Sequence, residues 1–295
     1  MELNIYLEQQ KALIDKTLDN ILNQADTTPS QIHEAMRYSV FAGGKRLRPI
    51  LFIAACDAVG GNSEEILPVA CALELIHTYS LIHDDLPAMD DDNLRRGKPT
   101  NHIVFGEAVA ILAGDGLLTY AFEIMFQLGL KSKNTEKLFQ AGLEIARGAG
   151  TRGMIGGQVI DILSENQKID EKTLLYIHNH KTGSLITGAI KAGAILGEGS
   201  IKQIECLTKY GDNIGLAFQI TDDLLDVQGD EGKIGKPVGS DDKNQKATFP
   251  NIYGIETSKK MAREAIQKAE EALEIFDKEA EPLRLLARYL LIREN

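Results

Sequence analysis

Apolar residues recur three or four positions apart along most of the chain. In LNIYLEQQKALIDKTLDNIL, the residues Leu3, Leu7, Leu13, Ile14, Leu18, Ile21 and Leu22 follow the period of an amphipathic helix. The same pattern predicts helices over 31–42, 50–59, 64–84, 104–130, 135–149, 171–196, 200–228, 258–277 and 281–293. No stretch alternates as a half-buried strand would, so the expected fold class is all-α. Seven of the eight prolines fall at the predicted breaks. Pro68 falls near a first turn, where a missing N–H does least harm. Connections such as Gln24–Pro29 and Lys131–Asn134 are short, and no low-complexity tract or linker divides the chain. A single all-α domain over 1–295 is expected.

Two segments, 64–84 and 200–228, are apolar on most sides, the mark of central helices rather than surface ones. Both end in acid. Each is followed by one of the two longest irregular segments, 85–103 and 229–250, and long loops in such places usually carry function.

The first acidic end reads HDDLPAMDDDNLRR, with Asp84, Asp85, Asp90, Asp91 and Asp92 ahead of Arg95 and Arg96. Pro87 disfavours helix at Leu86 and bends the chain, so Asp90 can fold back over the helix end. Asp91 and Asp92 are expected to face solvent or to support the others. The second reads FQITDDLLDV. At 100° per residue, Asp222 and Asp226 lie about 40° apart on one helix face, with Asp223 beside Asp226 and Gln219 continuing the stripe. Uncompensated charge in a buried helix costs several kcal/mol per ion. No Lys or Arg occurs between Lys209 and Lys233 to offset it.

A solvated acidic terminus would account for one such cluster. Two clusters on the two most apolar helices fit a hard divalent cation, since Mg²⁺ takes one or two carboxylates together with phosphate oxygens and waters. An EF-hand is excluded by the missing alternation of ligands, central Gly and terminal Glu. A carboxylate pair for glycoside hydrolysis would explain neither the number of acids nor the arginines beside them.

Cations stand in four knots: Lys45-Arg46-Leu47-Arg48, Arg95-Arg96, Lys181, and Lys233/Lys236/Lys243/Lys246. Arg grips phosphate oxygens in pairs and Lys neutralises them as a point charge. Gly43-Gly44 would let backbone approach a ligand. The segment is no Walker A loop, because Ser39 stands where glycine is required and Arg46 replaces the Ser/Thr. His77 lies seven residues before Asp84 on nearly the same face and could donate to a diphosphate; a satisfied core histidine fits the spacing as well. His178 and His180, two apart on a predicted helix, must diverge. No Gly-x-Ser-x-Gly elbow or zinc-protease His motif is present.

Composition narrows the partners. With 43 acidic and 32 basic residues the net charge is −11, which opposes binding to nucleic acid or to anionic membranes. Cys56, Cys71 and Cys206 sit in apolar runs and are expected to be buried thiols. The stretch MELNIYLEQQKALIDKTL has neither a basic start nor a long apolar run, so no signal peptide is expected. Nor does any segment hold the roughly 18 uninterrupted apolar residues of a membrane span. Cytoplasmic location without stable membrane insertion is the expectation.

The motifs GGKRLRP (43–49), HTYSLIHDDLPAMDDDNLRRGKPT (77–100), GDGLL (114–118), GGQVID (156–161), HKTGSLI (180–186), GLAFQITDDLLD (215–226), GKPVGSD (235–241) and KATFP (246–250) occur in this order. With them the chain resembles the short-chain trans-prenyl diphosphate synthases, the bacterial farnesyl diphosphate synthases in particular, nearly end to end. That resemblance implies a helical bundle of the isoprenoid-synthase type around a deep central cavity, and a homodimer. It implies three Mg²⁺ ions per active site, replaceable by Mn²⁺, held by Asp84, Asp85, Asp90, Asp222, Asp223 and Asp226. Arg95, Lys181, Lys236, Thr182, Gln219 and Lys246 would contact the allylic diphosphate, and Lys45, Arg48, His77 and Arg96 isopentenyl diphosphate. Catalysis would rest on Asp84, Asp85, Arg95, Lys181, Asp222 and Lys236.

Under the same resemblance, product length depends on Tyr79 and Ser80, beneath the first Asp motif. A bulky aromatic at Tyr79 resembles the farnesyl enzymes. The Asp-Asp-x4-Asp spacing, shared with plant-type geranylgeranyl enzymes, leaves geranylgeranyl or geranyl diphosphate as alternatives. A terpene cyclase would need no second diphosphate site of the Lys45/Arg48/His77 kind, and a regulatory subunit of a heteromeric synthase would be expected to have lost acidic ligands.

Overall fold

The computed structural model describes residues 2–23, 27–228 and 248–292. Its helices are α1 (Leu3–Leu22), α2 (Ser30–Val40), α3 (Leu47–Ala58), α4 (Leu67–Asp84), α5 (Asn101–Phe105), α6 (Glu107–Lys131), α7 (Thr135–Ala149), α8 (Met154–Leu163), α9 (Glu171–Ile177), α10 (Ser184–Leu196), α11 (Ile201–Gln228), α12 (Phe249–Tyr253), α13 (Ile255–Ala272) and α14 (Glu281–Ile292). One π-helical turn, His178–Gly183, joins α9 to α10. Among the described residues the only strands are β1 (Leu94–Arg95) and β2 (Lys98–Pro99). The fold is all-α. It divides into two compact units, one of Asn4–Ile50 with Ser63–Phe139, the other of Met1–Leu3, Leu51–Asn62 and Gln140–Asn295.

In the first unit α4 packs on α6 and α2. Every residue from Val69 to Ile76 is buried, as the all-round apolar pattern predicts. Pro68 is tolerated in the first turn, and Asp85 closes the helix. The predicted helix 104–130 is two helices, because Gly106 at φ 84° breaks it in a conformation open mainly to glycine. By length and composition α6 could cross a membrane; 39% of its most apolar window is buried inside the protein, and Asp115 and Glu123 lie along the helix.

The second unit is built on α11, which packs against α10, α13 and the π turn. Its core includes Leu174, Ile220, Leu224, Phe249 and Ala262. α11 is less central than its sequence predicts. Ile201 is 79% exposed, and its fully buried side chains begin at Leu207. α8 and α12 escape the sequence pattern. Glycine disfavours helix by local propensity, but here Gly157 lets α8 close on the π turn: a Cβ there would stand 2.1 Å from the Lys181 amide nitrogen. α12 is only five residues long, capped by Thr248, whose side chain accepts from the Asn251 N–H.

Candidate functional site

At the end of α4 the chain turns back on itself. The Asp90 N–H donates to the Asp84 carbonyl at 2.8 Å, so the fold-back expected from Pro87 is present. Asp84 and Asp90 are half-buried, and Asp91 and Asp92 are exposed. Asp85 differs: it is 3% exposed, and its Oδ1 accepts from both Nε and Nη2 of Arg95, each at 2.6 Å. Burial raises the Asp85 pKa above the usual carboxylate value, opposed by the Arg95 bond. Burial also works against the Arg95 charge, but the bond to Asp85 and the fields of Asp85, Asp92 and Asp84 outweigh it and raise the guanidinium pKa.

Arg95 is aimed by a hairpin the sequence did not reveal. Leu94 pairs with Pro99 and Arg95 with Lys98, around a turn with Arg96 at φ 54° and Gly97 at φ 75°. Two positive φ angles make the turn that matches strand twist, usually Asn-Gly. Arg96 accepts this conformation while its Nη1 donates to the Gly43 carbonyl. Gly43 and Gly44 stand at φ 122° and 125°, and a Cβ on Gly44 would meet the Arg96 Nη1 at 2.5 Å. The glycine pair thus makes room for Arg96. Beside it, Arg48 and His77 are half-buried, and the Arg48 Nε and His77 Nδ1 make no hydrogen bond. Burial lowers the Arg48 pKa to about 10, with Glu74 opposing and Arg96 adding to the fall. Burial, then Arg48, Arg96, Arg95 and Arg46, hold His77 well below its usual value, so it is neutral at pH 7. Lys45 is exposed. The first unit therefore gathers Arg48, His77 and Arg96 as one cationic, polar cluster.

Five residues before the helix end, Tyr79 is 5% exposed and meets the His83 ring edge-on at 5.8 Å. Burial, then the Asp84 charge, raise its pKa to about 12. Ser80 gives its hydroxyl proton to the His77 carbonyl at 2.9 Å. The ring of His83 fits because residue 114, in GDGLL, is glycine: a Cβ there would lie 2.1 Å from Nε2.

In the second unit the π turn carries Lys181, whose Nζ donates to Asp161 Oδ2 at 2.5 Å. Such single π turns concentrate at functional sites. Thr182 is half-buried. His178 points inward: its Nδ1 is 3.0 Å from Gln219 Oε1 and its ring stacks on Phe249. Burial lowers its pKa, and the Gln219 bond resists. His180 stacks on Tyr176 instead, so the two histidines diverge as expected.

Asp222 and Asp226 are half-buried, whereas Asp223 is 6% exposed and its Oδ2 accepts the Phe249 N–H at 2.9 Å. The same oxygen lies 3.5 Å from His178 Nε2. Asp223 thus holds the start of α12, a role its place in the acidic stripe did not announce. Asp223→Asn keeps an acceptor for the Phe249 N–H and loses the charge assistance to it, so kcat is expected to fall far less than in Asp222→Asn. A loss as large as that of Asp222→Asn, read from steady-state kinetics, would refute this. Lys236 and Lys246 lie outside the described residues.

A family model described as "Polyprenyl synthetase" matches residues 29–281. The chain belongs to the polyprenyl synthetase family. It is 46% identical to a geranylgeranyl diphosphate synthase of Cyanophora paradoxa over 98% of this chain and 96% of the relative. It is 43% identical to a farnesyl diphosphate synthase of Geobacillus stearothermophilus, over 98% and 97%. The crystal structure of a geranylgeranyl pyrophosphate synthetase from Pyrococcus horikoshii superposes with a TM-score of 0.89 at 33% identity, covering 98% of each chain. The protein is an enzyme, a prenyltransferase of a family that acts on small-molecule prenyl diphosphates.

For a prenyltransferase the acids pose a question of fit. Among the described residues no three Asp, Glu, His or Cys side chains converge as a ready cage. Mg²⁺ needs none, since it takes one or two carboxylates and completes its shell with phosphate and water. The half-buried Asp84, Asp90, Asp222 and Asp226 fit that donor chemistry. Sequence reasoning missed Asp161 and Glu74 as partners of the basic residues. The signal for Asp161 was its place in GGQVID.

Proposed function

We propose that this prenyltransferase is a Mg²⁺-dependent farnesyl diphosphate synthase, condensing isopentenyl diphosphate with dimethylallyl and then geranyl diphosphate. The observation that carries the product length is the buried Tyr79, five residues and about 7.5 Å of helix axis before Asp84. A tail descending from a diphosphate at the acidic helix end would meet its ring.

Asp84, Asp90, Asp222 and Asp226 would hold Mg²⁺, whose chemistry when bound is to neutralise charge on the leaving diphosphate. Asp85, committed to Arg95, and Asp223, committed to Phe249, act by holding their partners in place. Arg95, Lys181 and Thr182 bind the allylic diphosphate, with Lys236 and Lys246. Gln219 supports this set through His178. As the allylic C–O bond breaks, its electron pair leaves on diphosphate, and these fixed cations stabilise the growing charge. Lys45, Arg48, His77 and Arg96 orient isopentenyl diphosphate, whose double bond attacks the allylic cation. A proton then leaves to the departed diphosphate, so no protein base is needed, and because the double bond attacks the cation directly no protein nucleophile is needed either. Neutral His77 serves as a hydrogen-bond partner and adds no further charge to a crowded arginine cluster.

Chromatography of the product from isopentenyl and dimethylallyl diphosphates tests this, with a fifteen-carbon chain expected. A twenty-carbon main product would instead support the second reading, geranylgeranyl synthesis, which the higher identity to the Cyanophora relative favours.

A homodimer belongs to the same proposal. α6 leaves Ile111, Leu112 and Phe126 exposed at 44%, 57% and 57%, and a second copy would remove that apolar surface from water. Light scattering is expected to give twice the 32.4 kDa chain mass, and a monomer at micromolar concentration would count against it.

A further inference from the structure

We propose that Glu74 is a positioning residue for isopentenyl diphosphate: through Arg46 it fixes the GGKRLRP turn, so that Arg48 and Arg96 present their guanidiniums together. This rests on the assignment of Arg48, His77 and Arg96 to that substrate.

Glu74 is 2% exposed in the middle of α4, one turn before His77. A carboxylate there demands a partner, and Arg46, itself 3% exposed, supplies it at 2.7 Å from Nη1 to Oε1. Four of the five N–H groups of Arg46 are taken up by protein groups. Its Nε donates to Asp15 at 2.7 Å, its Nη2 to the Val40 carbonyl at 2.8 Å, and its Nη1 reaches the Gly43 carbonyl at 3.3 Å. It is therefore turned away from any ligand, unlike its neighbours in the motif.

Two connections carry its placement to the substrate groups. The Gly43 carbonyl that Arg46 touches also accepts from Arg96 Nη1. The Arg46 carbonyl accepts the Ile50 N–H at 3.0 Å and so opens α3, which carries Arg48. The Arg46 backbone holds φ 53°, a left-handed conformation that a non-glycine residue keeps only when its surroundings enforce it. The field of Glu74 also favours the charged forms of Arg46, Arg48 and Arg96, three like charges that would otherwise repel.

The test compares Glu74→Gln, the double variant Arg46→Met/Glu74→Met, and Arg48→Ala. Exchanging a buried ion pair for apolar groups of similar size often preserves stability, so the double variant keeps the test valid where Glu74→Gln fails to fold. The expected result for a folded variant lacking the pair is a KM for isopentenyl diphosphate raised about tenfold or more, with kcat and the allylic KM within about threefold of wild type. A double variant with wild-type melting temperature and wild-type isopentenyl KM would overturn the proposal, as would an equal rise in both KM values. An unchanged isopentenyl KM in Arg48→Ala would instead remove the site assignment beneath it.

Discussion

Asp84→Ala and Asp222→Ala are each expected to lower kcat by roughly 10²–10³-fold or more, the scale of losing one preorganised electrostatic group from a transition state. The physical reason is where charge develops. Breaking the allylic C–O bond moves negative charge onto a diphosphate that is already anionic, and the proposed mechanism uses no protein nucleophile to share the work. Carboxylates cannot stabilise that charge directly. On the proposed assignment their contribution would be to hold divalent ions that do, so removing one acid would weaken the hold on a cation. Asp84 and Asp222 are the half-buried acids that open each cluster, where a carboxylate can meet both protein and ligand. Raising Mg²⁺ in the assay should recover part of the lost rate in an Asp84→Asn variant, because weakened metal affinity is overcome by mass action. Turnover close to wild type in either alanine variant would contradict the metal assignment.

Tyr79→Ala is expected to shift the product from fifteen carbons to twenty and longer. The ring is buried, so truncation opens space along α4 that an additional isoprenoid unit can occupy. The same truncation of a buried aromatic costs about 3–5 kcal/mol of stability, so the variant needs a melting curve beside its product profile. Its pKa of about 12 keeps the phenol neutral at any working pH, so the effect on length should be independent of pH. A folded Tyr79→Ala enzyme that still stops at fifteen carbons would exclude Tyr79 as the floor.

The sequence disclosed the helices with clear periodicity because each has one face to bury. α1 matches its predicted span at both ends, as does α7. It disclosed the acid clusters because charge on apolar helices has no ordinary explanation. The distinctions within a cluster were hidden. Asp85 and Asp223 carry the same side chain as their neighbours, and only the fold decides which oxygen meets Arg95 or the Phe249 N–H. The β1–β2 hairpin was illegible for a related reason. Its turn residue Arg96 is poorly suited to positive φ, and the Gly43 carbonyl that meets it lies far away in sequence. α8 was hidden by Gly156-Gly157, a local breaker that close packing on the π turn turns into a requirement.

The central claim is that the outer acids of each cluster bind divalent ions in concert with diphosphate. Counting bound Mn²⁺ by electron paramagnetic resonance, with and without inorganic diphosphate, tests it most directly. The wild-type protein and Asp223→Asn should take up several ions only when diphosphate is present, and Asp84→Asn and Asp222→Asn should each take up fewer. Equal uptake in all four proteins, or uptake indifferent to diphosphate, would contradict the account.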